Sequence, residues 1–328
     1  MPPFREDLVQ LLLEHRSVPA SAVLQTFNFL GDLEGYVLVV SFVYATWDKR
    51  LALRLALIAI GAMVLNHALK TLIANPRPFV GEGTWAEKWA VPAEKARTLV
   101  SEYSTPSGHA MTGSAFYAYL AASLRRRWLT VAAVTCIALT GLARPYIGVH
   151  YVEDVLLGWA VGIPLAVLAL RYGEGLGDWW RKRSGRQQLG LVLAACGVLW
   201  LGTRAAYATS PHGPPLAVLS YLGFLTGIVL SYPVEAKRVA FDPRSSGVPT
   251  RLLRFVITVG LVAGTLVLLD PLFALVGSDD SILGDPLRYL RYAAAGAAGM
   301  LVGPYLFVRV GMASAIPTRE DEPSSPRQ

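Results

Sequence analysis

The chain has 328 residues, of which 53% are hydrophobic and only 16% charged, and its mean hydropathy is +0.43. A soluble domain carries about 25% charged residues, so the composition excludes an ordinary soluble enzyme, a disordered chain and a secreted disulfide scaffold. It indicates a protein that crosses a membrane several times. The two cysteines, Cys136 and Cys196, each lie in an apolar run, which argues against a disulfide or a cysteine metal site.

Residues 1–28 are predicted to form an N-terminal interfacial segment. Four apolar residues share one helical face there: Phe4, Leu8, Leu11 and Leu12. This pattern is typical of an amphipathic helix that lies in the membrane interface, and a helix with a tertiary partner in the protein is an equally good interpretation. The charged residues among the first 16 argue against a cleavable signal peptide.

Nine apolar stretches approach the roughly 20 residues that a membrane-spanning helix needs. They are residues 29–47, 51–72, 108–124, 128–147, 150–171, 189–208, 216–234, 252–276 and 287–308. The predicted fold class is therefore all-α, a polytopic transmembrane helical bundle of about nine spans. Asp32 and Glu34 interrupt the start of the first span, so its apolar part is short.

Changes in composition divide the rest of the chain into four segments. Residues 29–172 contain five spans, and residues 173–188 form a glycine-rich, basic linker. Residues 189–312 contain four additional spans. The tail 313–328 is rich in proline, serine and charge, which predicts disorder.

The positions of the basic residues predict the orientation in the membrane. With the N-terminus outside, the inner segments hold 19 of the 30 lysines and arginines, as the positive-inside rule requires. The formal net charge of +7 is then a topology signal, so nucleic acid is not an expected partner. We expect an integral protein of a membrane such as the bacterial inner membrane, with a cytoplasmic C-terminus.

With this topology, the residue types that carry chemistry collect at three outer boundaries of the membrane, and most of them are ionisable. They are Lys70 and Arg77; Ser107, Gly108 and His109; and Arg144, His150 and Asp154. Ionisable groups at membrane depth are costly, and they indicate function by default. The three cations suit one phosphate dianion, and a helix that begins after Pro106 presents backbone N–H groups to an anion.

The spacing of His150 and Asp154 predicts a nucleophile with an orienting carboxylate. Four residues apart on a helix, they share a face, so Asp154 can hold the Nδ1 proton and leave Nε2 free to attack. His109 supplies a second imidazole for proton donation, which completes the requirements of phosphoryl transfer through a covalent intermediate. Zinc held by these three residues is disfavoured, because the neighbouring cations would repel a metal ion.

Three stretches resemble the three signatures of the type 2 phosphatidic acid phosphatase superfamily. They are KTLIANPRP at residues 70–78, PSGH at residues 106–109, and RPYIGVHYVED at residues 144–154. The resemblance implies a phosphatase that needs no metal and no cofactor. It implies that His150 is the nucleophile, that Asp154 orients it and that His109 protonates the leaving oxygen. It also implies a phosphate site made of Lys70, Arg77, Ser107, Gly108 and Arg144.

The chain departs from the family pattern in two ways. The family has serine just before the arginine of the third signature, where this chain has Ala143, so we expect one phosphate contact to be missing. The first signature follows the second span, and four extra spans follow the core. A nine-span form with an outside N-terminus is similar to the glucose-6-phosphatase branch.

The sequence as a whole predicts hydrolysis of a lipid phosphate, a phosphomonoester or a diphosphate, on the outer face. The expected partners are this substrate and the membrane lipids, and the sequence does not determine the oligomeric state. A phosphatase for a soluble sugar phosphate and a lipid phosphotransferase remain open as enzyme alternatives. A transporter or flippase with a vestigial site is the non-enzyme alternative, and the lack of paired charges in the last four spans argues against it.

Overall fold

The computed structural model describes residues 4–80, 88–100, 102–208, 215–277 and 283–316. In these ranges the chain is helical, apart from one antiparallel β-bridge between Phe241 and Ala315. The α-helices are α1 (Glu6–Glu14), α2 (Val18–Leu30), α3 (Leu33–Thr46), α4 (Lys49–Ile73), α5 (Ala93–Val100), α6 (Gly108–Leu124), α7 (Arg127–Tyr146), α8 (Val152–Arg181), α9 (Gly185–Ala206), α10 (Ala217–Val234), α11 (Val248–Ala274), α12 (Gly284–Ala297) and α13 (Gly303–Arg309). A π-helical turn, Glu235–Val239, follows α10, and a second, Ala298–Val302, joins α12 to α13. The all-α class is confirmed.

Six of the described helices are long and apolar enough to cross a membrane: α4, α7, α8, α9, α10 with its π-helical turn, and α11. The pair α2 and α3 makes a seventh span if it is counted as one. Helix α6 covers the predicted span 108–124 with only 17 residues. Helices α12 and α13 divide the predicted span 287–308 into 14 and seven residues around a π-helical turn. Nine spans therefore remain a prediction.

The first predicted span is broken between α2 and α3, which meet at a bend of 60°. The break lies at Gly31 and Asp32, where the sequence introduces a glycine and a charge. A Cβ atom on Gly31 would lie 2.5 Å from Thr140 Cγ2 and 2.9 Å from His109 Cδ2, closer than real Cβ contacts come. Glycine therefore permits the close approach that brings Asp32 beside His109.

Two helices, α1 and α2, occupy the N-terminal segment that was predicted to be interfacial. Val9 is fully buried, and the Phe4 ring stacks on Tyr151 with 5.4 Å between centroids. Leu11, one of the four residues on the predicted apolar face, is half exposed. Phe4 and Val9 thus have protein partners, as in the tertiary alternative, and a membrane-facing amphipathic helix is not confirmed.

The chain divides into two compact units, and the first contains the predicted site. It consists of Met1–Val37, Leu55–Ser184 and Ala194–Val218. Within it, α6 packs closely against α8 because two glycines of α8 face it. A Cβ atom on Gly158 would lie 2.9 Å from Ser107 O, and one on Gly162 would lie 2.2 Å from Met111 O. This contact places the start of α6 beside the start of α8, where Ser107 N–H donates to Asp154 O at 3.0 Å.

The predicted linker, residues 173–188, is mostly helical. Helix α8 continues to Arg181, and only residues 182–184 separate it from α9. The glycine-rich composition was interpreted as a linker between two sets of spans. Although Gly173, Gly175 and Gly177 are poor helix formers, their weak propensity does not end α8.

The second unit consists of Leu38–Arg54, Gly185–Leu193 and Leu219–Gln328. Its helices α10 and α12 also pack through glycine, since a Cβ atom on Gly227 would lie 2.1 Å from Ala293 O. Residues 313–316, predicted as part of the disordered tail, are paired: Asp242 N–H donates to Ser314 O and Ile316 N–H to Ala240 O. The remainder of that tail, 317–328, lies outside the described residues.

Candidate active site

All eight residues predicted for the site lie in the first unit. They are Lys70 at the end of α4, Arg77 in the segment after it, Ser107, Gly108 and His109 at the start of α6, Arg144 near the end of α7, His150 between α7 and α8, and Asp154 in the first turn of α8. Six of them are buried; Gly108 and His109 are partly exposed. Buried polar and charged side chains need hydrogen-bond or ionic partners, because burial without them is costly. The partners of these residues are described next.

His150 and Asp154 form the predicted dyad. His150 Nδ1 lies 3.2 Å from Asp154 Oδ2, and both side chains are almost completely buried. The carboxylate accepts three further hydrogen bonds: from Ser104 Oγ at 2.5 Å, from Thr105 Oγ1 at 2.5 Å and from the Tyr151 N–H at 2.9 Å. Every neighbour of Asp154 in this set is a donor, so the carboxylate is held in one orientation.

The environment of His150 determines its tautomer. Arg77 Nη1 lies 3.1 Å from His150 Nε2, and a guanidinium can only donate. Nε2 is therefore the acceptor, and the proton sits on Nδ1 facing Asp154. Burial, reinforced by the charges of Arg77 and Arg144, lowers the pKa of His150 well below its ordinary value. The imidazole is neutral near pH 7, with a free electron pair on Nε2.

Arg77 is fixed by several acceptors. Its Nε donates to the carbonyl oxygens of Leu99 and Glu102, at 2.9 and 3.1 Å, and its Nη1 donates to Val149 O at 3.0 Å. Burial lowers the pKa of Arg77, with Glu102 acting in the opposite direction. The guanidinium is therefore held in one position beside His150 Nε2.

A carboxylate that the sequence did not indicate joins two of the predicted cations. Glu102 Oε2 accepts from Lys70 Nζ and from Arg77 Nη2, both at 3.3 Å. Burial opposes ionisation of Glu102, but these cations outweigh it and the pKa of Glu102 is lowered from its ordinary value. Glu102 is thus a negatively charged partner of Lys70 and Arg77, the two cations that were expected to bind phosphate.

A second group of contacts surrounds His109. His109 Nε2 lies 2.9 Å from Asp32 Oδ1 and 3.4 Å from Arg144 Nη1. The same Nη1 donates to Asn28 Oδ1. Asn28 and Asp32 both come from the α2–α3 bend, so the N-terminal part of the chain contributes to a site predicted entirely from residues 70–154.

Two buried donors in the site have no hydrogen-bond partner within the described ranges: Ser107 Oγ and Arg144 Nε. Buried polar atoms are almost always paired, so each unpaired one needs an explanation. Ser107 stands at the N-terminus of α6, where backbone N–H groups also favour an anion. Unpaired O–H and N–H donors of this kind can bind an oxyanion.

Ala143 is fully buried in an apolar cluster that includes Trp89, Tyr146 and Val149. This packing does not test the expected loss of a phosphate contact, which stays a prediction. Among the described residues, no group of three histidine, cysteine or carboxylate side chains is arranged to hold a metal ion.

The sequence could have identified some of the missed residues but not others. Ser104 and Thr105 directly precede the PSGH stretch, so proximity was a signal for them. Asn75, whose Nδ2 donates to Thr105 Oγ1 at 2.8 Å, lies inside the first stretch. Asp32 and Glu102 lie outside every stretch, and only the folded chain reveals them.

Comparison with known proteins gives two family matches. Residues 51–177 match the PAP2 superfamily, and residues 219–315 match the PAP2 superfamily phosphatase transmembrane extension. The first match contains all eight predicted site residues. The second lies within the second unit.

Individual relatives are similar to less than half of the chain. An undecaprenyl-diphosphatase of Sulfolobus acidocaldarius is 27% identical over 158 residues, which cover 48% of this chain and 64% of the relative. Phosphatidylglycerophosphatase B of Bacillus subtilis is 30% identical over 144 residues, covering 40% and 62%. Human sphingosine-1-phosphate phosphatase 2 is 32% identical over 145 residues, covering 42% and 34%. The chain thus spans less than two thirds of the length of these relatives.

One solved structure is similar, a transmembrane PAP2 type phosphatidylglycerolphosphate phosphatase from Bacillus subtilis. The TM-score is 0.42 at 24% sequence identity, with 52% of this chain and 84% of that chain covered.

Proposed function

Because the chain belongs to the PAP2 superfamily, we propose that it is a membrane-embedded phosphatase that hydrolyses a lipid phosphate, a phosphomonoester or a diphosphate, through a phosphohistidine intermediate. The observation that carries this proposal is the buried dyad of His150 and Asp154, with Nε2 free of a proton and facing a guanidinium. The unpaired donors of Ser107 and Arg144 support it, since they offer contacts to phosphoryl oxygens.

In the first step, His150 Nε2 attacks phosphorus, an N–P bond forms, and the bond from phosphorus to the ester oxygen breaks. Arg77 Nη1 transfers its hydrogen bond from Nε2 to a phosphoryl oxygen, and Lys70 and Arg144 neutralise the charge on the others. His109 gives a proton to the leaving oxygen. In the second step, water attacks phosphorus, His109 takes a proton from it, and the N–P bond breaks to release phosphate and free His150.

The reaction as proposed needs no metal ion, because Lys70, Arg77 and Arg144 supply the positive charge that a metal would place on the phosphoryl oxygens. We expect phosphate release to continue in saturating EDTA. Loss of activity that zinc or magnesium restores would contradict this part of the proposal.

A lipid is the proposed substrate for two reasons. The chain is an integral membrane protein by its apolar helices and its transmembrane extension, and a site at a membrane boundary can receive a headgroup while the tail stays in the bilayer. The relatives are also named for lipid phosphates and diphosphates.

The activity can be measured with purified protein in detergent micelles. The substrates are a phosphatidic acid, farnesyl diphosphate and glucose 6-phosphate, and the readout is released phosphate. We expect turnover of at least one lipid substrate, little of the sugar phosphate, and loss of turnover in His150→Ala. The matched control is His15→Ala, which changes an exposed histidine. Turnover of glucose 6-phosphate alone would favour the sugar phosphatase, and no turnover would favour the non-enzyme alternative.

We also propose that the site faces outside, with the C-terminus in the cytoplasm. Helix α8 begins at the site and has 30 residues, which is about 45 Å at 1.5 Å per residue and exceeds the hydrocarbon core of about 30 Å. In a background without Cys136 and Cys196, we expect an impermeant thiol reagent to label Glu94→Cys in intact cells. Lys182→Cys, beyond the other end of α8, should react only after lysis, and the opposite pattern would reverse the topology.

A further inference from the structure

The carboxylate of Asp32 is placed to act on His109, the proposed proton donor. Oδ1 of Asp32 lies 2.9 Å from His109 Nε2, and both side chains are largely withdrawn from solvent. Asp32 Oδ2 is held in turn by Asn28 Nδ2 at 3.4 Å and by Lys95 Nζ at 3.5 Å. The carboxylate is therefore oriented from two sides, and Gly31 allows its backbone to approach the imidazole closely.

The contact also resolves which atoms of His109 are engaged. Arg144 Nη1, at 3.4 Å from Nε2, already donates to Asn28. A carboxylate can only accept, so the contact at 2.9 Å is a hydrogen bond when Nε2 carries the proton. Nδ1 is then the nitrogen left to exchange a proton with substrate.

We propose that Asp32 is a positioning residue for His109: it accepts the Nε2 proton and thereby makes Nδ1 the atom that protonates the leaving oxygen. This inference rests on the proposed function and deepens it. The site then contains two dyads of opposite sense, because His150 gives Nδ1 to Asp154 and reacts through Nε2, while His109 gives Nε2 to Asp32 and reacts through Nδ1.

The proton balance follows from this arrangement. In the phosphorylation step, the Nδ1 proton moves to the ester oxygen as its bond to phosphorus breaks, and His109 becomes neutral with Nε2–H still bonded to Asp32. In the hydrolysis step, Nδ1 takes a proton from the attacking water, which restores the starting form. Burial and the nearby guanidinium of Arg144 both disfavour the protonated imidazole, and the negative charge of Asp32 acts in the opposite direction.

The test compares Asp32→Asn with a matched control, Glu34→Gln, which makes the same charge change two residues away on an exposed side chain. Two substrates are used: dodecyl phosphate, whose alkoxide leaves only with a proton, and p-nitrophenyl phosphate, whose phenolate leaves without one. The measured quantity is kcat/KM, because it reports the steps up to departure of the leaving group and excludes hydrolysis of the phosphoenzyme.

We expect Asp32→Asn to lower kcat/KM for dodecyl phosphate about 30-fold or more, which is a part of the roughly 10²- to 10⁴-fold that general acid catalysis contributes. For p-nitrophenyl phosphate the change should be less than about threefold. Asp32→Glu should recover part of the loss, and Glu34→Gln should change neither value. The inhibition constant of inorganic phosphate should stay the same in Asp32→Asn, because this variant leaves the cations in place.

Equal losses on both esters, or no loss on dodecyl phosphate, would overturn the assignment of Asp32. If Asp32→Asn does not fold, the same comparison on Asp32→Glu decides, since a displaced carboxylate should still slow the alkyl ester selectively. The proposed function is checked separately with the wild-type protein and His150→Ala. Hydrolysis of neither ester by the wild-type protein would overturn the proposed function together with this inference.

Discussion

The two units both bury charged side chains, but they use them differently. In the second unit, Lys49 Nζ donates to both carboxylate oxygens of Glu235, at 2.9 and 3.2 Å, and the Phe241 N–H donates to the same carboxylate at 3.0 Å. Arg254, fully buried, donates through its terminal nitrogens to three carbonyl oxygens of residues 242–245. These charged side chains fix the segment that connects α10 to α11.

In the first unit, the buried charged side chains lie close to one another, and some of their hydrogen-bond donors are not used within the described part of the protein. Ser107 Oγ and Arg144 Nε have no hydrogen-bond partner among the described residues, and His150 Nε2 faces a guanidinium. One unpaired atom does not make a site, since Arg254 Nε in the second unit also has no partner in the part of the chain that the structure describes. In the first unit several donors lie close to a buried histidine, whereas in the second unit the buried cations are bonded to a carboxylate or to backbone carbonyls of the chain. The proposed function rests on this difference.

The strongest test of this comparison changes the carboxylate of the dyad. The amide of Asp154→Asn keeps one acceptor oxygen where the carboxylate has two, and it removes the negative charge beside His150, so the imidazole loses the group that stabilises its reactive form. We expect kcat/KM to fall about 10³-fold or more on both dodecyl and p-nitrophenyl phosphate. The matched control is Glu153→Gln, on the adjacent residue. An effect confined to the poorer leaving group would contradict the assignment of Asp154 to the nucleophile.

The corresponding change in the second unit should affect stability. Lys49→Met leaves Glu235 buried without its cation, and breaking a buried pair costs about 3–5 kcal/mol. We expect a lower thermal unfolding midpoint in detergent and an unchanged kcat/KM for the folded fraction. The double variant Lys49→Met/Glu235→Leu should recover much of the stability, because it removes the uncompensated charge. A kinetic defect in the folded single variant would show that these charges also serve the reaction.

A smaller effect is expected from replacing one buried arginine with lysine in each unit. Lysine has no Nε–H and no planar fork, so Arg144→Lys should lose about 1.5–3 kcal/mol of phosphate binding, or about 10- to 100-fold in kcat/KM and in the inhibition constant of phosphate. Arg254→Lys serves as the matched control and should leave both constants unchanged. Equal kinetic losses in the two variants would erase the distinction between the units.

Much of the fold and of the site could be predicted, because both leave local patterns. Apolar stretches located the helices, and three short stretches located the dyad and the cations. The missed features depend on contacts between distant residues. Asp32 meets His109 across 77 positions, and Ser104 meets Asp154 across 50. The bend at Gly31 and the helical continuation of α8 were missed because packing, which no local pattern contains, decides whether a glycine ends a helix.

The smallest predicted effect concerns Glu102, which occupies the cations that the proposed substrate needs. Its pKa is lowered, so the carboxylate remains charged near pH 7 and competes with phosphate for Lys70 and Arg77. Glu102→Gln removes this competitor, and release of about 1 kcal/mol of ionic contact corresponds to a KM and a phosphate inhibition constant about fivefold lower. The control is Glu94→Gln, an exposed carboxylate on α5.

The same reasoning gives the pH dependence: the inhibition constant of the wild-type protein should approach that of Glu102→Gln only as the pH falls through the lowered pKa of Glu102. If Glu102→Gln instead weakens phosphate binding, the carboxylate does not compete with phosphate but orients Lys70 and Arg77 for it. The two cations would then need Glu102 in order to bind the substrate.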